Sequence, residues 1–266
     1  MSRRMTAPEF RSSKGKKKLA CLTAYDVLTA GILDDAGIDL ILVGDSMGNV
    51  ILGHDTTLKV TLDDVVTHAA AVMRARPRAL VIGDMPYLTF HIRPEETLRN
   101  AARLIQEAGV DGVKLEGGRE RVEHVRALIE AEIPVMGHLG LTPQSVLKFG
   151  GYRVQGRTGD AATRLLEDAK ALEEAGCFSV VLEGLPGPLA ERITASVGIP
   201  TIGIGAGAGC DGQVLVISDL LGITPSVPKF VRRYADLRGV MGDAVKRYIE
   251  DVRAGAFPGS EETYPE

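Results

Sequence analysis

The amino-acid sequence predicts an α/β protein, a single (β/α)8 barrel spanning residues 1–266 with a basic N-terminal extension and a short irregular C-terminal tail. Three observations predict it. Short apolar, β-rich runs recur at 19–23, 39–43, 79–83, 112–115, 134–137, 178–182, 200–203 and 214–217. Helical stripes lie between them. A glycine also recurs where a helix gives way to a strand, in Ala36-Gly37-Ile38-Asp39, Ala108-Gly109-Val110-Asp111 and Ala175-Gly176-Cys177-Phe178. Strand and helix in alternation require a parallel sheet, either closed or open and doubly wound; eight units in one domain favour closure.

Taken in order, the first twenty residues are basic (Arg3, Arg4, Arg11, Lys14, Lys16, Lys17 and Lys18) and lack the apolar run of an export signal, so a solvated, partly disordered start is expected. Pro94 ahead of Glu95 and Glu96 marks a helix start, because proline suits the first turn and anions suit its positive end. Leu98, Ala101, Ala102, Ile105 and Ala108 then form one apolar stripe. Thr142-Pro143 is a second helix start, inside a glycine-rich stretch from 139 to 158 that reads as a functional loop. Ala162, Leu165, Leu166, Ala169 and Leu172 make a further stripe. A last helix carries Leu237, Val240, Met241, Ala244, Val245, Tyr248 and Val252 on one face, and the tail after Gly255 reads as irregular.

The composition, 45% hydrophobic and 25% charged with a net charge of -4, is that of an ordinary globular protein and offers no footprint for nucleic acid. No apolar stretch approaches the roughly 18 to 20 residues needed to cross a bilayer. Small-molecule substrates in the cytoplasm are expected. The cysteines, Cys21, Cys177 and Cys210, are odd in number and widely spaced, which predicts neither a disulfide framework nor a zinc site.

In a parallel barrel the chemistry sits at the carboxyl ends of the strands. Those ends are acidic here: Asp45, Asp84, Glu116 and Glu183 each follow an apolar run, and Asp219 follows the last. One such acid is usually a helix cap or a loop salt bridge. Several converging are different, since two unit charges 4 Å apart at an effective dielectric near 20 repel by roughly 4 kcal/mol, so a cation or a proton must lie between them. An oxygen-only donor set suits Mg²⁺, with Mn²⁺ close behind. The histidines lack zinc-motif spacing. His138, at the end of the fifth run, reads either as an active-site group or as a satisfied structural histidine, and is counted among the substrate-binding candidates. Two apparent nucleotide motifs fail. Residues 151–158 carry arginine where a P-loop needs lysine, and Gly203, Gly205, Gly207 and Gly209 lead into a strand instead of a helix.

Read in order, Leu22-Thr23-Ala24-Tyr25-Asp26, Val43-Gly44-Asp45-Ser46, Asp84-Met85-Pro86, Val113-Lys114-Leu115-Glu116-Gly117-Gly118, Gly137-His138-Leu139-Gly140-Leu141-Thr142-Pro143-Gln144 and Ile202-Gly203-Ile204-Gly205-Ala206-Gly207 resemble the ketopantoate hydroxymethyltransferase family. The likeness runs from about Lys18 to Phe257-Pro258, with departures at Asn49, Ser218 and Thr263. It implies a barrel of the phosphoenolpyruvate/pyruvate-type superfamily. It further implies transfer of a hydroxymethyl group from 5,10-methylenetetrahydrofolate to 3-methyl-2-oxobutanoate, with Mg²⁺ required, in a homo-oligomer that is often a decamer. Carried over by position, Asp45 and Asp84 are metal ligands and substrate contacts, Glu116 is a ligand directly or through water, Ser46 and Lys114 contact the keto acid, and Glu183 is the general base. The alternatives are a metal-dependent carbon–carbon lyase acting on a related 2-oxo acid and a catalytically silent metabolite-binding barrel.

Overall fold

The computed structural model describes residues 4–265. Eight strands, β1 Leu19–Thr23, β2 Leu40–Val43, β3 Leu80–Asp84, β4 Gly112–Glu116, β5 Val135–Gly140, β6 Ser179–Glu183, β7 Thr201–Ile204 and β8 Gly212–Leu215, close into one all-parallel barrel in sequence order. The first seven start within one residue of their sequence-predicted positions. The helices of this unit are α1 Ala7–Ser12, α2 Val27–Asp35, α3 Met47–Val50, α4 Leu62–Met73, α5 Pro94–Arg103, α6 Val122–Glu130, α7 Val146–Phe149, α8 Gly159–Glu174 and α9 Gly187–Ser196. A π-turn over Leu104–Ala108 continues α5 before Gly109 ends it with φ of 79°.

By contact, the chain divides into Met1–Val216, which carries the barrel, and Ile217–Glu266. The second unit holds α10 Ile217–Leu220 and α11 Leu237–Ala254, capped by Asp236. Tyr248 of α11 packs edge-on against Phe257 at 5.5 Å. Among the described residues, no helix is long and apolar enough to cross a membrane.

Alternation along the strands organises the barrel interior, because side chains two residues apart share a face. Low in the barrel, the inward residues Leu19, Leu40, Leu80, Met136, Val181, Ile202 and Val214 form a closed apolar cluster. One or two steps higher on the same face come Thr23, Asp84, Lys114, Glu116, His138 and Glu183. The lower layer excludes water from beneath the upper one.

The solvated start expected of the first twenty residues requires correction; Arg3 itself lies outside the described residues. Thr6 and Glu9 form a reciprocal capping box that starts α1. Phe10 is fully buried in the same apolar cluster, meeting Phe178 edge-on at 5.8 Å. Three of the basic residues are tied down by carboxylates: Arg4 to Asp111 at 2.7 Å, Lys14 to Asp211 at 2.8 Å and Lys17 to Asp39 at 2.6 Å. Ala7 and Phe10, two apolar residues in a basic stretch, are too few to show as a stripe, yet both are buried in the apolar cluster at the amino end of the barrel.

The eighth strand begins two residues before its predicted position. Gly212 lies so close to the β1 backbone that a Cβ there would stand 2.5 Å from the Leu19 carbonyl oxygen, so a residue of weak strand propensity is the one this position demands. As a consequence Asp219 does not end a strand; it lies in α10.

Replacing the buried side chain, Phe10→Ala, is expected to destabilise the protein by about 3 to 5 kcal/mol in urea titration, as loss of a fully buried phenyl does. A change below about 1 kcal/mol would show that α1 merely rests on the barrel.

Candidate active site

A cavity of about 110 Å³ opens at the carboxyl ends of the strands, bounded by Asp45, Ser46, Asp84, Lys114, Glu116, His138 and Glu183 above Leu42, Val181 and Val214. A larger, open depression of about 550 Å³ lies at the opposite end beside α1. Its charges are spent on one another, as in Arg78 with Asp34 at 2.8 Å and Lys17 with Asp39, which leaves the smaller cavity as the place where unneutralised groups converge.

Each side chain reaches the cavity for a local reason. Asp84, Lys114, Glu116, His138 and Glu183 stand on the inward face, and the register sets Asp84 beside Lys114 and Glu116 beside His138. Asp45 lies beyond the end of β2, where the chain leaves the sheet; its backbone N–H donates to Asp84 Oδ2 at 3.2 Å. Ser46 Oγ shares a hydrogen bond of 2.8 Å with the buried Tyr25 hydroxyl.

The Lys114 ammonium, 3% exposed, lies 2.9 Å from Asp84 Oδ1 and 3.3 Å from His138 Nδ1. An ammonium only donates, so Nδ1 must accept and the imidazole proton belongs on Nε2. That nitrogen stands 3.2 Å from Glu183 Oε2. Burial and the neighbouring ammonium hold His138 well below its ordinary pKa, which keeps the ring neutral in this tautomer.

Gln144 is a member of the site that the strand-end reading missed. Its backbone N–H donates to Glu116 Oε2 at 3.0 Å, while its side-chain amide donates to Asp45 Oδ2 at 2.9 Å and to the Met85 carbonyl at 3.0 Å. Its position in the 3-10 turn Pro143–Ser145, started by the Thr142-Pro143 pair, was the available signal. Tyr25 was missed likewise, one residue beyond Ala24 where β1 has already ended. Two of the remaining histidines hold structure: His68 bonds the Tyr25 carbonyl at 2.7 Å and His124 bonds Thr97 at 2.7 Å.

The electrostatics follow from burial. Withdrawal from water, reinforced by Asp84, lifts the Asp45 carboxyl to about 7; withdrawal from water lifts Glu183 to about 8 against the pull of Lys114 and pushes Glu116 well above the ordinary carboxylate range. Burial alone would lower the Lys114 pKa, but Asp84, Glu116 and Asp45 together raise it. Glu116 Oε1, Gln144 Oε1 and His138 Nε2 are buried and make no well-formed hydrogen bond, while Asp84 Oδ1 is met by the Lys114 ammonium. Among the described residues, no three His, Cys, Asp or Glu side chains are gathered closely enough to hold an ion as they stand.

The family described as Ketopantoate hydroxymethyltransferase matches residues 4–260 of this chain. A protein named 3-methyl-2-oxobutanoate hydroxymethyltransferase in Nitratidesulfovibrio vulgaris strain DP4 is 56% identical over 263 residues, 98% of this chain and 86% of the relative. One of the same name in Syntrophomonas wolfei is 55% identical over 94% of this chain and 91% of its own. Among solved structures, 2,3-dimethylmalate lyase, a PEP mutase/isocitrate lyase superfamily member, superposes with a TM-score of 0.59 over 99% of this chain and 93% of its own; at 18% identity the likeness is one of fold.

Raised carboxyl pKa values make stability depend on pH. Asp45 and Glu183, ordinarily at 3.8 and 4.5, bind protons more tightly when folded, so the stability they contribute is lost as pH rises through about 7 to 8. His91, His124 and His138 lie below their ordinary 6.5 and act in the opposite sense, but only up to that value. The metal-free protein is therefore expected to lose Tm between about pH 6.5 and 8, a slope that Glu183→Gln reduces in a thermal melt series; a wild-type Tm that climbs across this window would contradict the charge assignment.

Proposed function

Since the chain belongs to the ketopantoate hydroxymethyltransferase family, we propose that it converts 3-methyl-2-oxobutanoate, 5,10-methylenetetrahydrofolate and water to 2-dehydropantoate and tetrahydrofolate. The observation that carries this reading is the convergence of Asp45, Asp84, Glu116 and Glu183 on a buried ammonium in a cavity of keto-acid size.

The donor chemistry fits a divalent cation, Mg²⁺ or Mn²⁺: Asp45, Asp84 and Glu116 supply oxygens only, and the buried Glu116 Oε1 accepts no well-formed hydrogen bond. When bound, such an ion supplies a Lewis acid that draws electron density from the 2-oxo group. Ser46, held by Tyr25, is placed to bind the keto-acid carboxylate. Glu183 is the base for the C3 proton, and its raised pKa matches a proton transfer near neutrality. His138 Nε2 stands 3.2 Å from Glu183 Oε2 without a well-formed hydrogen bond to it, while Lys114 places a fixed positive charge where negative charge develops on the substrate. The carbon freed of its proton then attacks the one-carbon unit of the folate. The same reading places the protein in the cytoplasm as a homo-oligomer, a decamer on the family pattern.

Proton NMR of 3-methyl-2-oxobutanoate in D2O with protein, Mg²⁺ and methylenetetrahydrofolate tests this. Loss of the C3 proton and appearance of 2-dehydropantoate are expected, both abolished by chelation. Cleavage of a larger 2-oxo acid without folate, with no transfer, would replace this reading by the lyase. Glu183→Gln is expected to slow C3 exchange by about 10²- to 10⁴-fold, the usual value of a positioned base; exchange at the wild-type rate would remove it from that role. Asp84→Ala is expected to weaken Mg²⁺ binding in calorimetry, and wild-type affinity would contradict its place among the ligands.

A further inference from the structure

The lining of the cavity is unevenly divided around the barrel. Every charged group in it comes from β2 to β6 or from just beyond their ends, whereas β7, β8 and the residue that follows contribute only Ile204, Val214, Leu215 and Val216. In a closed barrel of eight strands β7 lies opposite β3, so this apolar wall stands across the cavity from Asp84. A 2-oxo acid is divided in the same way, with a carboxylate and a carbonyl at one end and an alkyl group at the other. Against the apolar wall the carboxylate would lose its water without gaining a partner, a cost that the opposite orientation avoids. The alkyl end therefore belongs on β7 and β8.

The proposed base narrows this wall to one side chain. Glu183 and Ile204 are register partners on neighbouring parallel strands, which sets their backbones about 4.8 Å apart, and both side chains line the cavity. A carbon that gives its proton to Glu183 must bring its substituents beside Ile204. Ile204 also stands alone at its level of β7: Gly203 precedes it, the strand ends at it, and Gly205 follows with φ of 61°. It packs against the apolar cluster below, so the side chain is backed by a dense floor that leaves it little room to yield.

We propose that Ile204 is the specificity-determining residue for the alkyl group on C3, bounding the space for the two methyl groups of 3-methyl-2-oxobutanoate and opposing longer branches. The proposal rests on the transferase reading above. It concerns discrimination between 2-oxo acids, so it is read from a ratio of two substrates, whereas the transferase reading stands or falls on the wild-type reaction itself.

The test compares C3 proton exchange in D2O, with Mg²⁺ and without folate, for 3-methyl-2-oxobutanoate and for racemic 3-methyl-2-oxopentanoate, which carries one further methylene. Ile204→Val takes one methylene from the wall, and one methylene in an apolar pocket is worth about 10- to 200-fold in kcat/KM. The ratio of kcat/KM for the larger acid to that for the smaller is expected to rise about tenfold in Ile204→Val and to fall about tenfold in Ile204→Phe. Both substrates are measured on one preparation, so the ratio does not depend on the fraction of protein that is folded. A ratio within about threefold of wild type in both variants would overturn the proposal. So would a loss of exchange equal for the two acids, which would make Ile204 a support for Glu183 instead of a boundary for the substrate. A wild-type protein that exchanges the C3 proton of neither acid would defeat the transferase reading itself, and this proposal with it.

Discussion

Carboxylates withdrawn from water repel one another, and the barrel mouth is arranged around that constraint. At an effective dielectric near 20, each close like-charged pair costs roughly 4 kcal/mol, a large fraction of the net stability of a typical domain. Lys114 offsets part of it through its 2.9 Å contact with Asp84, and raised pKa values at Asp45, Glu116 and Glu183 record the part that remains. Gln144 spreads the load further by donating to both Asp45 and Glu116. The cluster is thus short of positive charge, a lack that the divalent cation of the proposed reading would answer.

The scaffold makes this state tolerable. The inward face that carries Asp84, His138 and Glu183 carries Ile82, Met136 and Val181 one step below. One periodicity therefore builds both the floor and the reactive layer, and the charged groups cannot withdraw to water without dragging strands whose lower halves are locked in the core. Phe10 packs into the far end of the same apolar cluster.

Much of this was legible in the sequence because two of its rules are local. The two-residue period of strands and the glycine at helix ends need no knowledge of the fold, and they locate seven strands and the acids Asp45, Asp84, Glu116 and Glu183. What escaped depends on contacts distant in sequence. Gln144 matters because it meets Asp45, 99 residues away, and Met85, 59 residues away. Phe10 matters because it meets Phe178. Asp219 misled for the converse reason: Val214 to Ile217 has the composition of a strand, while the register of β8 is decided by the close approach of Gly212 to Leu19. Lys114 came from family resemblance, although the inward parity it shares with Glu116 was enough to place both on one face.

The histidine between Lys114 and Glu183 ties these elements into one chemical unit. Because the ammonium can only donate, it determines which imidazole nitrogen carries the proton, and that nitrogen stands 3.2 Å from the carboxylate proposed as base. Were His138 protonated, its positive charge would stabilise the Glu183 anion and weaken it as a base; the depressed pKa of the ring, caused by burial and by Lys114, prevents this. The lysine that offsets the carboxylate repulsion thus also keeps the ring neutral, while its own charge pulls the Glu183 pKa down. Position 114 has to satisfy both demands at once, and a cation that could lose its proton in this setting would fail the second.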